Sequence, residues 1–201
     1  VQKKIAEIFA AGKIPVMLGG EHSISVGAVR AARERFPGLS VLHLDAHADM
    51  RDSYQGTPFS HACAARRIAE TCPLVQAGVR SLSLEEALFL KESGIRTYSA
   101  ETVNERMPEV VEKICGGLSD DVYITLDLDV LDPSVMPATG TPEPGGIQWW
   151  DIIKILKTVS GRRRVRGFDV VELLPIPGVV APDFLAAKLV YRMMGYVLER
   201  G

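Results

Sequence analysis

The sequence predicts an α/β fold with three layers, α/β/α, built on a mainly parallel sheet. Three observations carry this. Hydrophobic periodicity switches repeatedly between helical spacing and short apolar runs. The runs are uninterrupted rather than alternating, as strands buried on both faces require. Strand-like and helix-like segments alternate along the whole chain, the pattern of crossover units.

In order, residues 1 to 12 place Ile5, Ile8 and Phe9 on one helical face, and IPVML at 14 to 18 reads as a short buried strand. SISVGAVRAARERF at 23 to 36 is helical and LSVLHL at 39 to 44 a strand. After a polar loop, HACAARRIAE at 61 to 70 is a helix and LVQAGV at 74 to 79 a strand. SLEEALFLKESG at 83 to 94 is a helix closed by Gly94, a residue suited to a C-terminal cap. IRTY at 95 to 98 is a strand, 101 to 115 one helix, and DVYITLDL at 121 to 128 a strand. A loop rich in Pro and Gly fills 131 to 146. QWWDIIKILKTV at 148 to 159 is a helix, VRGFDVVEL at 165 to 173 a strand, and 183 to 199 a closing helix.

The 201 residues form one domain, 1 to 201, large enough for a real core. The chain begins at Val1 inside a helical pattern, so an N-terminal segment is expected to be missing. A net charge of -2, with one basic run from Arg162 to Arg166, argues against a nucleic-acid partner. No apolar stretch is long enough to span a membrane. Cys63, Cys72 and Cys115 are an odd number with no CxxC pair, which fits reduced, buried thiols in a cytoplasmic protein.

Ligands of open parallel sheets bind at the carboxyl ends of strands. GGEHS follows the first strand with Glu21 and His22, DAHADMRD the second, LDLDVLDP the fifth and VVELLP the last. Asp45, His47 and Asp49 are spaced by two, as are Asp127 and Asp129, so each set converges if the chain stays extended. Alone, DAHAD could be a solvated acidic loop and LDLD a pair of turn-capping aspartates. Together, four carboxylates with His22 and His47 would repel unless cations compensate them. The set suits two adjacent divalent ions with bridging carboxylates. Its oxygen-rich composition favours Mn²⁺ over zinc. His43, inside its strand, reads as a core or supporting histidine.

GGEHS, DAHADMRD, SHAC at 60 to 63, LDLDVLDPSVMPATGTPEPGG and FDVVELLP also resemble, in order, the motifs of the ureohydrolase family of arginases and agmatinases. The resemblance runs from about residue 17 to the C-terminus. It implies an arginase-like fold and two Mn²⁺ per subunit held by His22, Asp45, His47, Asp49, Asp127 and Asp129. It also implies that His61 shuttles protons and Glu172 grips the substrate guanidinium, as the catalytic residues. On the residues alone, His61 could be a helix-start histidine and Glu172 a structural ion-pair partner.

The implied reaction is attack of hydroxide on a guanidinium carbon, releasing urea and an amine. The net negative site attracts a cationic guanidinium and disfavours phosphate. RDSYQG and TGTPEPGG resemble agmatinases, and the segment by which arginases hold the amino-acid end is not recognisable. The expected reaction is therefore agmatine to putrescine and urea, a step of polyamine biosynthesis. Guanidinobutyrate, guanidinopropionate and arginine are the alternatives, and Glu143 could reach a substrate's distal end or simply belong to its loop. A phosphoesterase would be expected to carry more than four histidines, and a non-catalytic relative would not need all these ligands. A homo-oligomer, trimer or hexamer, is also implied.

Overall fold

The computed structural model describes residues 1–199. Six strands, β1 (Val16–Leu18), β2 (Ser40–Leu44), β3 (Leu74–Val79), β4 (Arg96–Ser99), β5 (Asp121–Asp127) and β6 (Arg164–Val171), form one sheet in the order β1-β6-β5-β2-β3-β4. All five pairings are parallel. The helices are α1 (Gln2–Ala10), α2 (Ile24–Arg35), α3 (Ala64–Ala69), α4 (Leu84–Ser93), α5 (Ala100–Glu105), α6 (Met107–Gly117), α7 (Trp149–Arg162) and α8 (Ala181–Leu198).

Alternation along each strand explains the three layers. Leu42 and Leu44 of β2, Ile124 and Leu126 of β5, and Phe168 and Val170 of β6 pack with residues of α5 to α8. Val41 and Tyr123, on the opposite face, pack against α1 to α3 and the partly buried Phe89 and Leu90 of α4. Both faces are covered, which is why the strands read as unbroken apolar runs.

Local chemistry sets the element ends. Ser83 and Glu86 form a reciprocal capping box at the start of α4, and Gly94 closes it at φ 69°. The single helix expected over 101 to 115 is two helices, α5 and α6, broken at Arg106. Pro108 is the cause: it lacks the amide hydrogen a continuous helix needs, and its ring crowds the preceding turn. HAC at 61 to 63 is a 3₁₀ turn leading into α3. β1 is shorter than expected because Pro15 has no amide hydrogen to give to the ladder, although its carbonyl accepts from Phe168 N.

The sheet order reverses between β2 and β5. From β2 the chain proceeds to β3 and β4 on one side, and from β5 to β6 on the other. The carboxyl ends of this adjacent pair open the crevice in which open α/β sheets bind ligands.

Gly78 sits where β3 shifts register against β4, at φ 102°. A Cβ there would collide with Val130 and lie 2.9 Å from the Asp45 carbonyl oxygen. Gly78→Ala is expected to cost about 1–3 kcal/mol of stability through backbone strain and overpacking. Chemical denaturation of the two chains checks this, and equal midpoints would mean that the bulge accommodates a side chain.

Candidate metal centre

The polypeptide leaves β2 without losing its lateral support. Ala48 N donates to Ser81 O, Ser81 N and Arg80 N donate to Ala46 O, and His47 bridges Ser81 in parallel. That extension carries Asp45 and His47 forward together. Asp49 then takes a left-handed backbone (φ 52°), which aspartate tolerates better than most residues, and turns the chain away. Asp127 ends β5, and Asp129 lies in a 3₁₀ turn at Leu128–Val130. His22 precedes α2 in the loop after β1.

Three carboxylates are anchored by one oxygen on a backbone amide, and the second oxygen of Asp129 also accepts from the Thr141 hydroxyl at 3.3 Å. Asp45 Oδ1 accepts from His47 N at 2.6 Å, Asp127 Oδ1 from Asp129 N at 2.8 Å and Asp129 Oδ1 from Ala46 N at 3.1 Å. Their other oxygens meet the imidazoles. His22 Nδ1 lies 3.0 Å from Asp45 Oδ2 and 3.4 Å from both Asp49 Oδ2 and Asp127 Oδ2. His47 Nδ1 lies 3.0 Å from Asp129 Oδ2 and 3.5 Å from Asp45 Oδ1. All six residues expected as ligands are thus brought together.

Two groups of donor atoms, each within 4.8 Å, emerge: His22, His43, Asp45 and Asp49, and then Asp45, His47 and Asp129. Asp45 belongs to both. His22 Nδ1 and Asp45 Oδ2 are buried and have no hydrogen-bond partner. Buried polar atoms are seldom left so, and two of them facing each other fit a cation between them. The site's protonation fits as well. Burial raises Asp49 and Asp127 well above the ordinary carboxylate range, and the Asp45 charge raises them further. Burial would lower the imidazoles, but Asp127 and Asp45 outweigh it at His22, and Asp129 and Asp45 push His47 up to about 11. Protons here compensate charge that divalent cations would compensate better.

Above this cluster lies a cavity of about 510 Å³ whose lining includes Glu172, His61, Arg51 and Tyr54. Glu172 follows β6 with a left-handed backbone (φ 65°), and its Oε1 accepts from His22 N at 2.7 Å. Strained backbone at a polar site is a mark of function. Burial raises its carboxyl above the ordinary value. His61 opens its 3₁₀ turn half exposed, 3.8 Å from Glu21 and edge-on to Tyr54. Glu143 stands 3.8 Å from His47 Nε2 at the rim. Asp132 does not join the site; it accepts from Ser134 N, Gly145 N and Gly146 N and so folds the 131 to 146 loop.

Arg80 is a residue that pattern reading of the sequence missed. Its guanidinium donates to the carbonyls of Asp129 (2.7 Å), Glu143 (2.8 Å), Gly78 (3.0 Å) and Pro144 (3.1 Å), binding three segments behind the cluster. A lone arginine after an apolar strand carried no signal, because its partners are backbone atoms far away in sequence. Thr125 and Asp169 were missed too, although a carboxylate in the middle of GFDVV is a signal in a strand with both faces covered.

Comparison with known proteins shows which sequences and folds the chain is similar to. The profile of the Arginase family matches residues 1–195. The N(1)-aminopropylagmatine ureohydrolase of Synechocystis is 37% identical over 194 residues, covering 96% of this chain and 63% of that protein. The agmatinase of Pyrococcus horikoshii is 39% identical over 183 residues, covering 90% of this chain and 62% of that one. The agmatine ureohydrolase structure from Thermoplasma volcanium superposes with a TM-score of 0.88 at 34% identity, over 98% of this chain and 66% of that one. The arginase from Bacillus caldovelox gives 0.84 at 27% identity, over 98% and 72%. The chain spans less than two thirds of the length of these curated relatives.

Arg80→Ala removes a cation whose partners are all carbonyls and leaves several of them unsatisfied. A loss of about 2–4 kcal/mol in denaturant unfolding is expected. Faster proteolysis within residues 139 to 146 should accompany it. Arg80→Lys should recover only part, since an ammonium lacks the planar fork of donors. Wild-type protease resistance in the alanine variant would contradict the clamp.

Proposed function

The chain belongs to the arginase family, and from that premise we propose that it hydrolyses the guanidinium group of agmatine or an N-substituted agmatine, releasing urea. The observation carrying this is the pair of donor groups sharing Asp45 on the floor of a cavity that also holds Glu172 and His61. His22, Asp45, His47, Asp49, Asp127 and Asp129 would hold two divalent cations. The oxygen-rich donor set with two imidazoles supports Mn²⁺. When bound, such a pair supplies Lewis acidity and makes hydroxide available near neutral pH.

The chain's own residues account for binding and proton movement. The acidic floor and Glu172 draw in a planar cation. Glu172, tethered to the His22 amide, presents its carboxylate to guanidinium N–H groups, whose fork geometry it matches. Addition of hydroxide makes the guanidinium carbon tetrahedral, and the C–N bond to the alkylamine then breaks. That nitrogen takes up the proton the added hydroxyl loses as the urea carbonyl forms, and His61 at the cavity mouth supplies, as general acid, the second proton with which the amine leaves as an ammonium. Urea and the amine leave.

The tail preference follows from Arg51. Among the described residues lining the cavity it is the one Lys or Arg side chain. It lies 3.8 Å from Glu86 and 5.1 Å over the Tyr54 ring, so its charge is already engaged. A cationic tail is therefore favoured over a carboxylate. Two relatives named above act, by their names, on agmatine and on its aminopropyl derivative. Amino-acid and guanidino-acid substrates are the second reading, favoured only if Arg51 releases Glu86 to meet a carboxylate.

The rest of the proposal is a single ureohydrolase domain working as a homo-oligomer, trimer or hexamer, in polyamine synthesis in the cytoplasm. Phe184, Tyr191 and Leu198, spaced by seven and exposed on α8, support association between copies. Buried free cysteines support a reducing compartment. No helix among the described residues is long and apolar enough to cross a membrane.

The Mn²⁺-loaded chain should release urea from agmatine or N1-aminopropylagmatine with a kcat/KM at least about tenfold above arginine, guanidinobutyrate and guanidinopropionate, a difference of about 1.4 kcal/mol. Absence of urea from every member of that panel, with both sites filled, would sink the proposal. Cation binding must also displace the protons held at His22, His47, Asp49 and Asp127. Mn²⁺ affinity should therefore keep rising with pH up to about 11, where His47 gives up its proton unaided. Calorimetry in buffers of different ionisation enthalpy should register proton release, and buffer-independent heats would contradict it.

A further inference from the structure

One row deeper in the sheet lies what aims these side chains. Thr97, Gln76, His43, Thr125 and Asp169 are lateral partners on β4, β3, β2, β5 and β6 in turn. The period of two puts all five on the face that packs against α1 to α4. The last four named are buried. A polar row across five parallel strands is costly unless its members satisfy one another.

Partners that can only accept fix the hydrogens. The Ala48 carbonyl lies 2.8 Å from Gln76, so the Gln76 atom facing it is the amide nitrogen. The same nitrogen is 3.1 Å from His43 Nδ1, which therefore accepts, while Gln76 Oε1 accepts from the Thr97 hydroxyl at 3.2 Å. His43 thus carries its proton on Nε2, which stands 3.2 Å from Asp45 Oδ2 without the geometry of a hydrogen bond. On the other side, with Asp169 ionised, the one Thr125 hydroxyl proton goes to its Oδ1 at 2.6 Å. Thr125 Oγ1 then accepts from His22 Nε2 at 2.8 Å, leaving His22 Nδ1 bare towards Asp45, Asp49 and Asp127. The rings are stacked, with centroids 5.0 Å apart and planes 12° from parallel. They share one tautomer but present opposite edges to the centre.

We propose that this buried row is a positioning device, in which Asp169 and Thr125 make His22 a cation ligand while Thr97 and Gln76 turn the protonated Nε2 of His43 towards Asp45. The proposal rests on the two-cation centre above. It explains why two neighbouring imidazoles have different tasks. Histidine ligands commonly give their second ring N–H to a carboxylate, directly or through a partner, and losing that support costs about 10–100-fold in metal affinity.

The test combines spectroscopy and binding. Long-range ¹⁵N–¹H correlation on the histidine-labelled chain, loaded with diamagnetic Zn²⁺, should show both His22 and His43 protonated at Nε2. Thr125→Val should weaken one of the two Zn²⁺ equivalents about 10–100-fold and leave the other unchanged, and Thr125→Ser should restore it. A merely structural role would weaken both together with thermal stability. A proton on His22 Nδ1, or full affinity for both equivalents in Thr125→Val, would overturn the relay alone. Should the valine variant fail to fold, the spectrum of the unaltered chain decides. An unaltered chain that binds no divalent ion would overturn the centre and the relay with it.

Discussion

Charge crowding at the carboxyl ends of β2 and β5 is the constraint on which the rest depends. Asp45, Asp49, Asp127 and Asp129 are buried within a few ångströms of one another, beside His22 and the half-buried His47. An apolar interior cannot hold four ionised carboxylates without compensation. Hence the surroundings are arranged in layers. Backbone amides anchor one oxygen each on Asp45, Asp127 and Asp129, so the second oxygens turn towards the imidazoles. The sheet order places the two richest loops side by side, and the left-handed turns at Asp49 and Glu172 bring their carboxylates back over the edge.

The cost of that arrangement is spread through the fold. Polar side chains occupy positions in β2, β3, β5 and β6 that strand alternation would otherwise give to valine or isoleucine, and Arg80 is set among carbonyls rather than beside a carboxylate. Thermodynamically these are poor choices for a core. A hydrogen-bonded polar row holds ring orientations that apolar packing cannot define, even with His43 Nε2 and Asp169 Oδ2 left without hydrogen-bond partners.

Much of this was legible in the sequence. Unbroken apolar runs gave all six strands, and the six clustered side chains were readable from the motifs at the strand ends, although the extended chain expected there holds only through Asp45 and His47: Asp49 has a left-handed backbone and Asp129 sits in a 3₁₀ turn. Boundaries were less visible. The break at Arg106 depends on Pro108, which a periodicity over 101 to 115 averages away, and β1 is trimmed by Pro15. Least visible were residues whose meaning is lateral. Thr125 and His43 each look unremarkable within their own strand, and become a pair only when β5 lies beside β2 in a definite register. Arg80 speaks only to backbone carbonyls, and backbone carries no residue-type signal.

The placement of Arg80, Arg51 and Glu172 explains the sign of the cavity. Two arginines approach the centre, and neither is left to neutralise it. Arg80 comes from behind and is spent on the carbonyls of Asp129, Glu143, Gly78 and Pro144. Arg51 stands at the cavity wall, facing Glu86 and stacked over Tyr54. Glu172, tied by one oxygen to the His22 amide, adds a further carboxylate above the floor. The field that remains is negative and focused by low-dielectric walls, which raises the local concentration of a cation small enough to enter. A guanidinium fits that description in charge, planarity and hydrogen-bond donors, whereas a phosphate or a carboxylate would meet several carboxylates and a single arginine, Arg51, along the lining.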